Sequence, residues 1–338
     1  MLKWIKIKTP MQYEPPFKIT SKAINLISEI SEKIGEIQHF ENTEHSVQLR
    51  KKNRIQTIHS SLAIENNSLT IEQITAIIEG KRVLGSPNEI QEVKNAVQAY
   101  ELLLTLNPYK EQDLLHAHRL MMNELVNRSG KYRRDGVGIF DGRNVVHVAP
   151  PADRIPFLMG DLFQWLKDTD THPLIKSSVF HYEFEFIHPF EDGNGRMGRL
   201  WQTVILKDWK PFFAWLPIET LIKEHQNDYY QALGLSDANS DSTAFIEFML
   251  SVILDTIEAI LKTESKITVK ITQKITVNQQ KIIQAIKDNP YITQEELAAV
   301  VGIARLNIIK NMKKLQEQHI ITRVGADKNG YWHIEENN

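Results

Sequence analysis

The sequence predicts a mainly α-helical protein: a helical bundle carrying one β-hairpin flap, followed by a small C-terminal domain of helices and a second hairpin. Three observations carry this reading. Apolar residues recur at helical spacing from Ser21 to about Lys262, as in Ile24, Ile27, Ile30, Ile34 and Ile37, or Val93, Val97, Tyr100 and Leu104. One segment breaks that rhythm: Val137 to Phe140 and Val145 to Val148 are β-prone and flank Asp141-Gly142-Arg143-Asn144, which is good hairpin-turn chemistry, and Pro150-Pro151 stops the second run. From about Asn278 the pattern changes again into short helices and a terminal pair of β-prone runs.

The elements follow in order. Residues 1–20, with Pro10, Pro15 and Pro16, read as an extended arm, and residues 21–262 as the helical body. Within the body, Thr70-Ile71-Glu72-Gln73 is a capping box opening a helix that Gly80 closes. Residues 263–277 contain KITVKITQKITV, read as a β-prone linker, with an edge strand whose lysines discourage pairing as the alternative. In residues 278–338 a helix from Gln279 to Lys287 precedes Asn289-Pro290, and Thr293-Gln294-Glu295-Glu296 is a second capping box for a helix ending near Gly302. A longer helix from Ala304 to Gln318 follows, then Ile320 to Val324 and Tyr331 to Ile334 around Asp327-Lys328-Asn329-Gly330. That order is the order of a winged helix-turn-helix.

The 338 residues and 42% apolar composition suffice for a sizeable core and two domains. A formal net charge of −2 argues against wholesale coating of nucleic acid or membrane. The chain has no cysteine, which excludes disulfides, thiolate zinc sites and cysteine nucleophiles together. No stretch approaches the roughly 18 consecutive apolar residues of a membrane helix, so the expected location is the cytoplasm, with no membrane partner.

The chemistry concentrates at one place. Ser178 to Pro189, SVFHYEFEFIHP, is apolar through Val179, Phe180, Phe184, Phe186 and Ile187 and leads straight to His188. Pro189 disfavours αR for the residue before it, so the helix should end there, with the imidazole at the lip of a core-packed element. Asp192-Gly193-Asn194-Gly195 turns tightly and exposes successive backbone N–H groups, and the helix from Arg196 to about Leu206 aims its N-terminus at whatever the loop holds. Arg196 and Arg199 share a helical face with Thr203 and suit phosphate oxygens. Asp192 is a hard oxygen ligand of the kind Mg²⁺ takes beside phosphates. Each feature taken singly has an ordinary structural explanation. No Walker P-loop and no H-E-x-x-H zinc motif is present.

As one string, HPFEDGNGRMGR (His188 to Arg199) resembles the Fic family signature H-x-F-x-[D/E]-G-N-G-R-x-x-R position for position, and the resemblance covers roughly residues 20–260. It extends to a Gly130-Lys131-Tyr132-Arg133 element and to the flap ending in Pro-Pro. The resemblance implies transfer of AMP from ATP to a hydroxyl of a target protein, the chain itself included. It implies His188 as general base, Asp192 as Mg²⁺ ligand, Gly193, Asn194 and Gly195 as the anion hole, and Met197 and Gly198 among the nucleotide-binding residues. Arg196 and Arg199 would then hold the nucleotide phosphates. The flap at Val145, Val146, His147 and Val148 would hold target backbone by strand addition. Tyr230 and Asn239, in YYQALGLSDANSD, are similar to the family's adenosine-side segment.

A second element, Ser61-Leu62-Ala63-Ile64-Glu65-Asn66, is similar to the family's inhibitory motif [S/T]-x-x-x-E-[G/N]. It implies that Ser61, Glu65 and Asn66 form a brake, Glu65 pairing with Arg199, in a self-inhibited and often homodimeric class that in some members also removes AMP. A different class of function stays open beside this: a nucleotide-sensing, DNA-binding transcriptional or toxin-antitoxin-like regulator. Transfer of another phosphorylated group also stays open. The C-terminal domain is expected to meet DNA or a protein. Arg305, Lys310, Lys313 and Lys314 favour DNA, while Glu295, Glu296, Glu317, Glu335 and Glu336 offset them, and Leu306, Ile308 and Ile309 are apolar for a base-reading helix.

Overall fold

The computed structural model describes residues 13–38, 44–136, 138–141, 144–274, 276–317, 320–325 and 330–334, with backbone alone at 38, 44–48, 138–141, 144–147 and 264–274. The chain divides into two compact units, the first ending at Glu258 and the second starting at Ala259.

In the first unit, α1 (Ser21–Gln38), α2 (Glu44–Ile64), α3 (Ile71–Ile78), α4 (Pro87–Glu101) and α5 (Glu111–Met121) precede the hairpin β1 (Gly138–Asp141) and β2 (Asn144–Val148). After it come α6 (Ile155–Asp168), α7 (Pro173–Ile187), α8 (Asn194–Trp209), α9 (Ile218–Glu224), α10 (Gln226–Asn239) and α11 (Thr243–Lys274), with short 3₁₀ turns at Leu102–Leu104, Ala152–Arg154 and Pro211–Trp215. The unit is built around α7 packed on α8. On α7, Ile175, Val179, Phe180, His181, Tyr182, Phe184 and Ile187 are all buried, so the helix meets protein on every side and shows no polar stripe. Trp201 of α8 is fully buried against Phe163 of α6, edge to face at 6.1 Å. The expected capping box at the start of α3 is present, with Thr70 and Gln73 bonded reciprocally.

The hairpin forms where its sequence placed it. Gly138 faces Val148, Ile139 faces His147, Phe140 faces Val145 and Asp141 faces Asn144, so Val146 is the extra residue of a bulge. Val137 and the turn residues Gly142 and Arg143 lie outside the described residues. Of the predicted arm, residues 1–12 also lie outside them. From Tyr13 to Thr20 the chain is extended and docked: Ser242 N–H donates to Pro16 O (2.9 Å) and Lys18 N–H to Thr243 Oγ1 (2.9 Å).

One expectation changes. Residues 263–274, read as a linker or edge strand, are the last turns of α11, and the units divide earlier, inside that helix. The segment has neither Gly nor Pro to break a helix, and Lys266, Lys270 and Lys274 recur every fourth position, which one helical face accepts as readily as a strand does. The β-branched residues suggested a strand; continuity with the amphipathic helix before them prevails.

The second unit contains α12 (Val277–Asp288), α13 (Gln294–Val301), α14 (Arg305–Glu317) and the antiparallel pair β3 (Ile321–Val324) and β4 (Tyr331–Ile334), a winged helix-turn-helix. Its core joins Ile282, Ile286, Leu297, Ile308, Met312, Leu315 and Ile321. Capping boxes start α12 at Thr276 and α13 at Thr293, and Gly302, at φ 78°, ends α13 in the left-handed conformation. The wing folds back where Trp332 N–H donates to Pro290 O (2.8 Å), while its turn, residues 326–329, lies outside the described residues. Thr293→Ala removes the acceptor for Glu296 N–H and is expected to cost about 1 kcal/mol. Hydrogen exchange on the full chain, faster across residues 277–317 than in wild type, checks this.

Candidate active site

The site begins where α7 stops. His188 is the C-cap, at φ 49° and ψ 60°, with its N–H on Phe184 O at 2.9 Å. As expected from Pro189, it lies outside αR and the helix ends there; it sits in the left-handed region, which for a non-glycine costs of order 1–3 kcal/mol. Arg133 holds the corner. This guanidinium, 2% exposed, donates to His188 O (2.8 Å), Asp135 O (2.7 Å), Pro150 O (2.6 Å) and Ile187 O (3.4 Å), while Arg133 N–H donates to Pro189 O (2.9 Å). One side chain therefore fixes the end of α7 and the exit of the β2 flap together. The His188 ring is half-buried, with Nδ1 inside the protein.

The loop to α8 closes on itself. Phe190 N–H donates to Asn194 Oδ1 and Asn194 Nδ2 donates to Phe190 O, both at 2.9 Å. The Asn194 side chain is thus consumed inside the loop. Beneath, His118 of α5 stacks on Phe190 at 3.6 Å and 9°. Gly130 N–H donates to His118 Nδ1 (2.8 Å), so the ring carries its proton on Nε2 and donates to Asp192 O (3.0 Å). Burial, only partly opposed by the Asp192 carbonyl, brings the His118 pKa down to about 4, so it is neutral at pH 7.

Gly193 takes the left-handed N-cap position of α8 at φ 82°, and a Cβ there would lie 2.6 Å from Met122 Sδ. The helix starts at Asn194, two residues before the expected Arg196, so its first-turn N–H groups and dipole converge on the loop. Met197 is fully buried. At Gly198 a Cβ would meet His181 at 2.7 Å and Glu185 at 2.8 Å, so that glycine serves α7–α8 packing.

Both motif arginines are buried and already paired. Arg196 Nη1 lies 3.2 Å from Glu92 of α4, and Nη2 lies 3.3 Å from Asp192 Oδ1. Glu92 Oε2 also accepts from Asn67 Nδ2 (2.7 Å), just beyond α2. Arg199 Nη2 donates to Glu65 Oε1 (2.8 Å) and Ser61 O (3.0 Å), and Nε to Ser61 Oγ (3.3 Å). Burial pulls the Arg199 pKa down, but Glu65, Tyr229 and Glu185 outweigh it and hold it above the ordinary value. The Glu65 carboxylate also lies over Gly195, where a Cβ would collide with it. It therefore occupies the helix N-terminus as an anion would. The end of α2 is fastened by Asn66 at φ 68°, by Lys223 Nζ on Ala63 O (2.8 Å) and by Gln226 Nε2 on Ile64 O (3.0 Å).

Behind Arg199, His181 Nδ1 meets Gln202 Oε1 (2.6 Å) and His181 Nε2 meets Tyr229 Oη (3.2 Å). Burial pushes the Glu185 carboxyl up, yet His181, His188 and Arg199 hold it below the ordinary carboxylate range. Tyr230 is half exposed beside this cluster, in the field of Glu65 and Arg199. Asn239 ends α10, exposed; among the described residues no hydrogen bond joins it to the motif. Val148 is exposed at the end of the flap; at Val145, Val146 and His147 the backbone alone is described. Among the described residues no three His, Asp or Glu side chains converge as a metal cluster. Sequence reasoning missed His118, Glu92, Asn67 and Met122, all contributed by elements far from the motif; of the two histidines in LLHAHRL only His118 is buried, and nothing local marks it.

With this geometry in place, the comparisons are specific. Residues 108–206 match the family model described as Fic/DOC family, and residues 276–322 match that of winged helix-turn-helix DNA-binding domains. A solved Fic family protein from Desulfovibrio desulfuricans G20 is 44% identical, over 96% of this chain and 99% of that one, with a TM-score of 0.72. The fold is shared with Fic-1 from C. elegans, residues 134–508, at 21% identity and a TM-score of 0.58, covering 72% of each chain. The protein adenylyltransferase Fic of Nematostella vectensis is 29% identical over 62% of this chain and 49% of its own length; that of Culex quinquefasciatus is 26% identical over 75% and 47%. The chain thus spans about half the length of these curated relatives. It belongs to the Fic family, with a winged helix-turn-helix at its C-terminal end.

Two outcomes follow from the geometry. Because His118 is held neutral below its unfolded pKa, stability should fall as pH drops from about 6.5 to about 4, by roughly 3 kcal/mol. Urea titrations of wild type and His118→Gln over that range check it, the variant losing this part of the acid sensitivity. Arg133→Lys should lower stability by about 2 kcal/mol through lost charged hydrogen bonds, read by thermal unfolding.

Proposed function

We propose that the protein is an adenylyltransferase that moves AMP from ATP to a hydroxyl side chain of a target protein, and that Glu65 restrains it. One observation carries this: base and anion site are a single rigid piece, His188 joined to the α8 N-terminus by a loop locked through Phe190 and Asn194. Names borne by the Nematostella and Culex relatives support the same reaction class.

In this reading the target hydroxyl gives its proton to His188 Nε2 while its oxygen attacks the α-phosphorus of ATP. The bond from that phosphorus to the bridging oxygen breaks, and pyrophosphate leaves. Negative charge on the phosphate oxygens faces the first-turn N–H groups of α8, Arg196 and Arg199, so positioning and electrostatics supply most of the rate. Imidazole is the side-chain type suited to accepting a proton near neutral pH. Mg²⁺ would be held at Asp192: the carboxylate is mostly exposed, Oδ1 is used by Gly193 N–H and Arg196, and among the described residues Oδ2 accepts no hydrogen bond. A single carboxylate suits an ion that takes its remaining ligands from phosphates and water. When bound, it neutralises phosphate charge. The flap, bulged at Val146, would take target backbone by strand addition.

Glu65 restrains this because its carboxylate already fills the α8 N-terminus and engages Arg199, so a terminal phosphate must displace it. Self-labelling with ATP, GTP and UTP read by intact mass tests the proposal. Glu65→Gly should raise incorporation of AMP mass at least about tenfold, the scale of a lost 1.4 kcal/mol restraint, and His188→Ala should abolish it in either background. Equal labelling by wild type and His188→Ala removes the mechanism.

For the second unit, the matching family description and the exposed Arg305, Lys310, Lys313 and Lys314 of α14 favour DNA. Duplex binding should weaken with salt, and Lys310→Ala with Lys314→Ala should reduce that salt slope by about two. Filter binding at several salt concentrations measures both.

A further inference from the structure

Glu65 is not the only acid tied to Arg199. A second path leaves the guanidinium at Nε, which donates to Ser61 Oγ (3.3 Å); Ser61 faces the Tyr100 hydroxyl in turn, and Tyr100 Oη donates to Glu219 Oε1 (2.9 Å). All four side chains are 1–2% exposed. The order of donors is forced. A guanidinium only donates, so Ser61 Oγ accepts from it and gives its own proton to Tyr100, whose proton goes to Glu219. The chain runs one way, from a cation to a carboxyl.

That carboxyl is otherwise hard to justify. Glu219 Oε2 is buried and accepts no hydrogen bond, and a glutamine would fill the same space without the cost of burying a charge. The charges facing it are Arg54 on α2 and Arg199 on α8, with Tyr100 and, through Arg54, Glu101 on α4. Lys223 of its own helix turns to Ala63 and Gln226 of α10.

We propose that Glu219 is a positioning residue that acts through Tyr100 and Ser61 as the resident counter-charge of Arg199, and so sets how readily Arg199 exchanges Glu65 for a substrate phosphate. This rests on the reading of Arg199 as a phosphate ligand. Burial, partly offset by its own backbone N–H, Tyr100 and the two arginines, puts the Glu219 carboxyl at about 7. Its charge therefore varies near neutrality. Ionised, it holds Arg199 towards α2; protonated, it accepts weakly and releases the guanidinium. The sign for stability is opposite. The folded pKa lies above the unfolded one, so ionising Glu219 lowers stability as pH rises from about 4.5 through about 7.

The experiment compares wild type, Glu219→Gln, Tyr100→Phe and Glu65→Gln, singly and paired, all as the full chain. ATP affinity is measured by calorimetry at about pH 6 and about pH 8, on either side of the Glu219 titration. Glu219→Gln should bind ATP on the order of threefold tighter at the higher pH and lose the part of the pH dependence that wild type keeps, as Tyr100→Phe should by breaking the chain. Identical pH profiles for wild type and both variants overturn the proposal. Thermal unfolding supplies a readout that needs no nucleotide. At the higher pH Glu219→Gln should raise Tm, and its effect should be non-additive with that of Glu65→Gln, since both acids hold one guanidinium. Strict additivity overturns the proposal by itself. Absence of ATP binding in every variant, with non-additive Tm shifts, would instead refute the phosphate role of Arg199 and leave the counter-charge role standing.

Discussion

A guanidinium shut away from water must be given charge and acceptors to face, and Arg199 imposes that demand at the centre of the helical unit. Ser61 and Glu65 answer it from α2 and its exit, Glu185 from α7, Tyr229 from α10, and Tyr100 with Glu219 from α4 and α9. Breaking a buried pair typically costs about 3–5 kcal/mol, so these elements are placed by an ion as firmly as by their apolar faces. The same demand explains why α2 ends where it does. Its last carbonyls are taken by Lys223 and Gln226, which leaves Glu65 directed at Arg199 and at the start of α8. The contact that would restrain phosphate binding is therefore also a contact that holds the helices together.

The other half of the site obeys a geometric constraint. His188 needs a left-handed backbone, which a histidine adopts only when its surroundings over-determine it. Arg133 does this from one side, and the neutral His118 from beneath, through Phe190 and Asp192. Since Arg133 also binds Pro150 O, the exit of the flap and His188 share a support.

What the sequence made legible follows the range of the interactions. The string from His188 to Arg199 was readable because its parts are consecutive, and Glu65 because Ser61 to Asn66 is similar to a family motif. Helices with one wet face, such as α1 and α3, announced themselves by spacing, and capping boxes marked α3 and α13. Arg133 was visible only as part of an element without a role. His118, Glu92, Tyr100 and Glu219 were not visible, since each is an ordinary residue until a helix distant in sequence brings it to the motif. The side-chain role of Asn194, which closes the loop on Phe190 four residues away, was not visible either. Residues 263–274 misled because composition favoured a strand while a fourfold repeat fitted a helix equally well.

The Phe190–Asn194 lock bears on how this molecule ages. Asn194-Gly195 and Asp192-Gly193 are the dipeptides most prone to spontaneous succinimide formation, in which the following backbone nitrogen attacks the side-chain carbonyl carbon. That attack needs a freely rotating side chain on an extended, mobile backbone. Asn194 offers neither, being buried, doubly hydrogen-bonded and already helical. The hydrogen bonds that close the loop thus also withhold the Asn194-Gly195 bond from slow chemical damage, and a variant that loosened them would be expected to lose its loop by ageing as well as by misfolding.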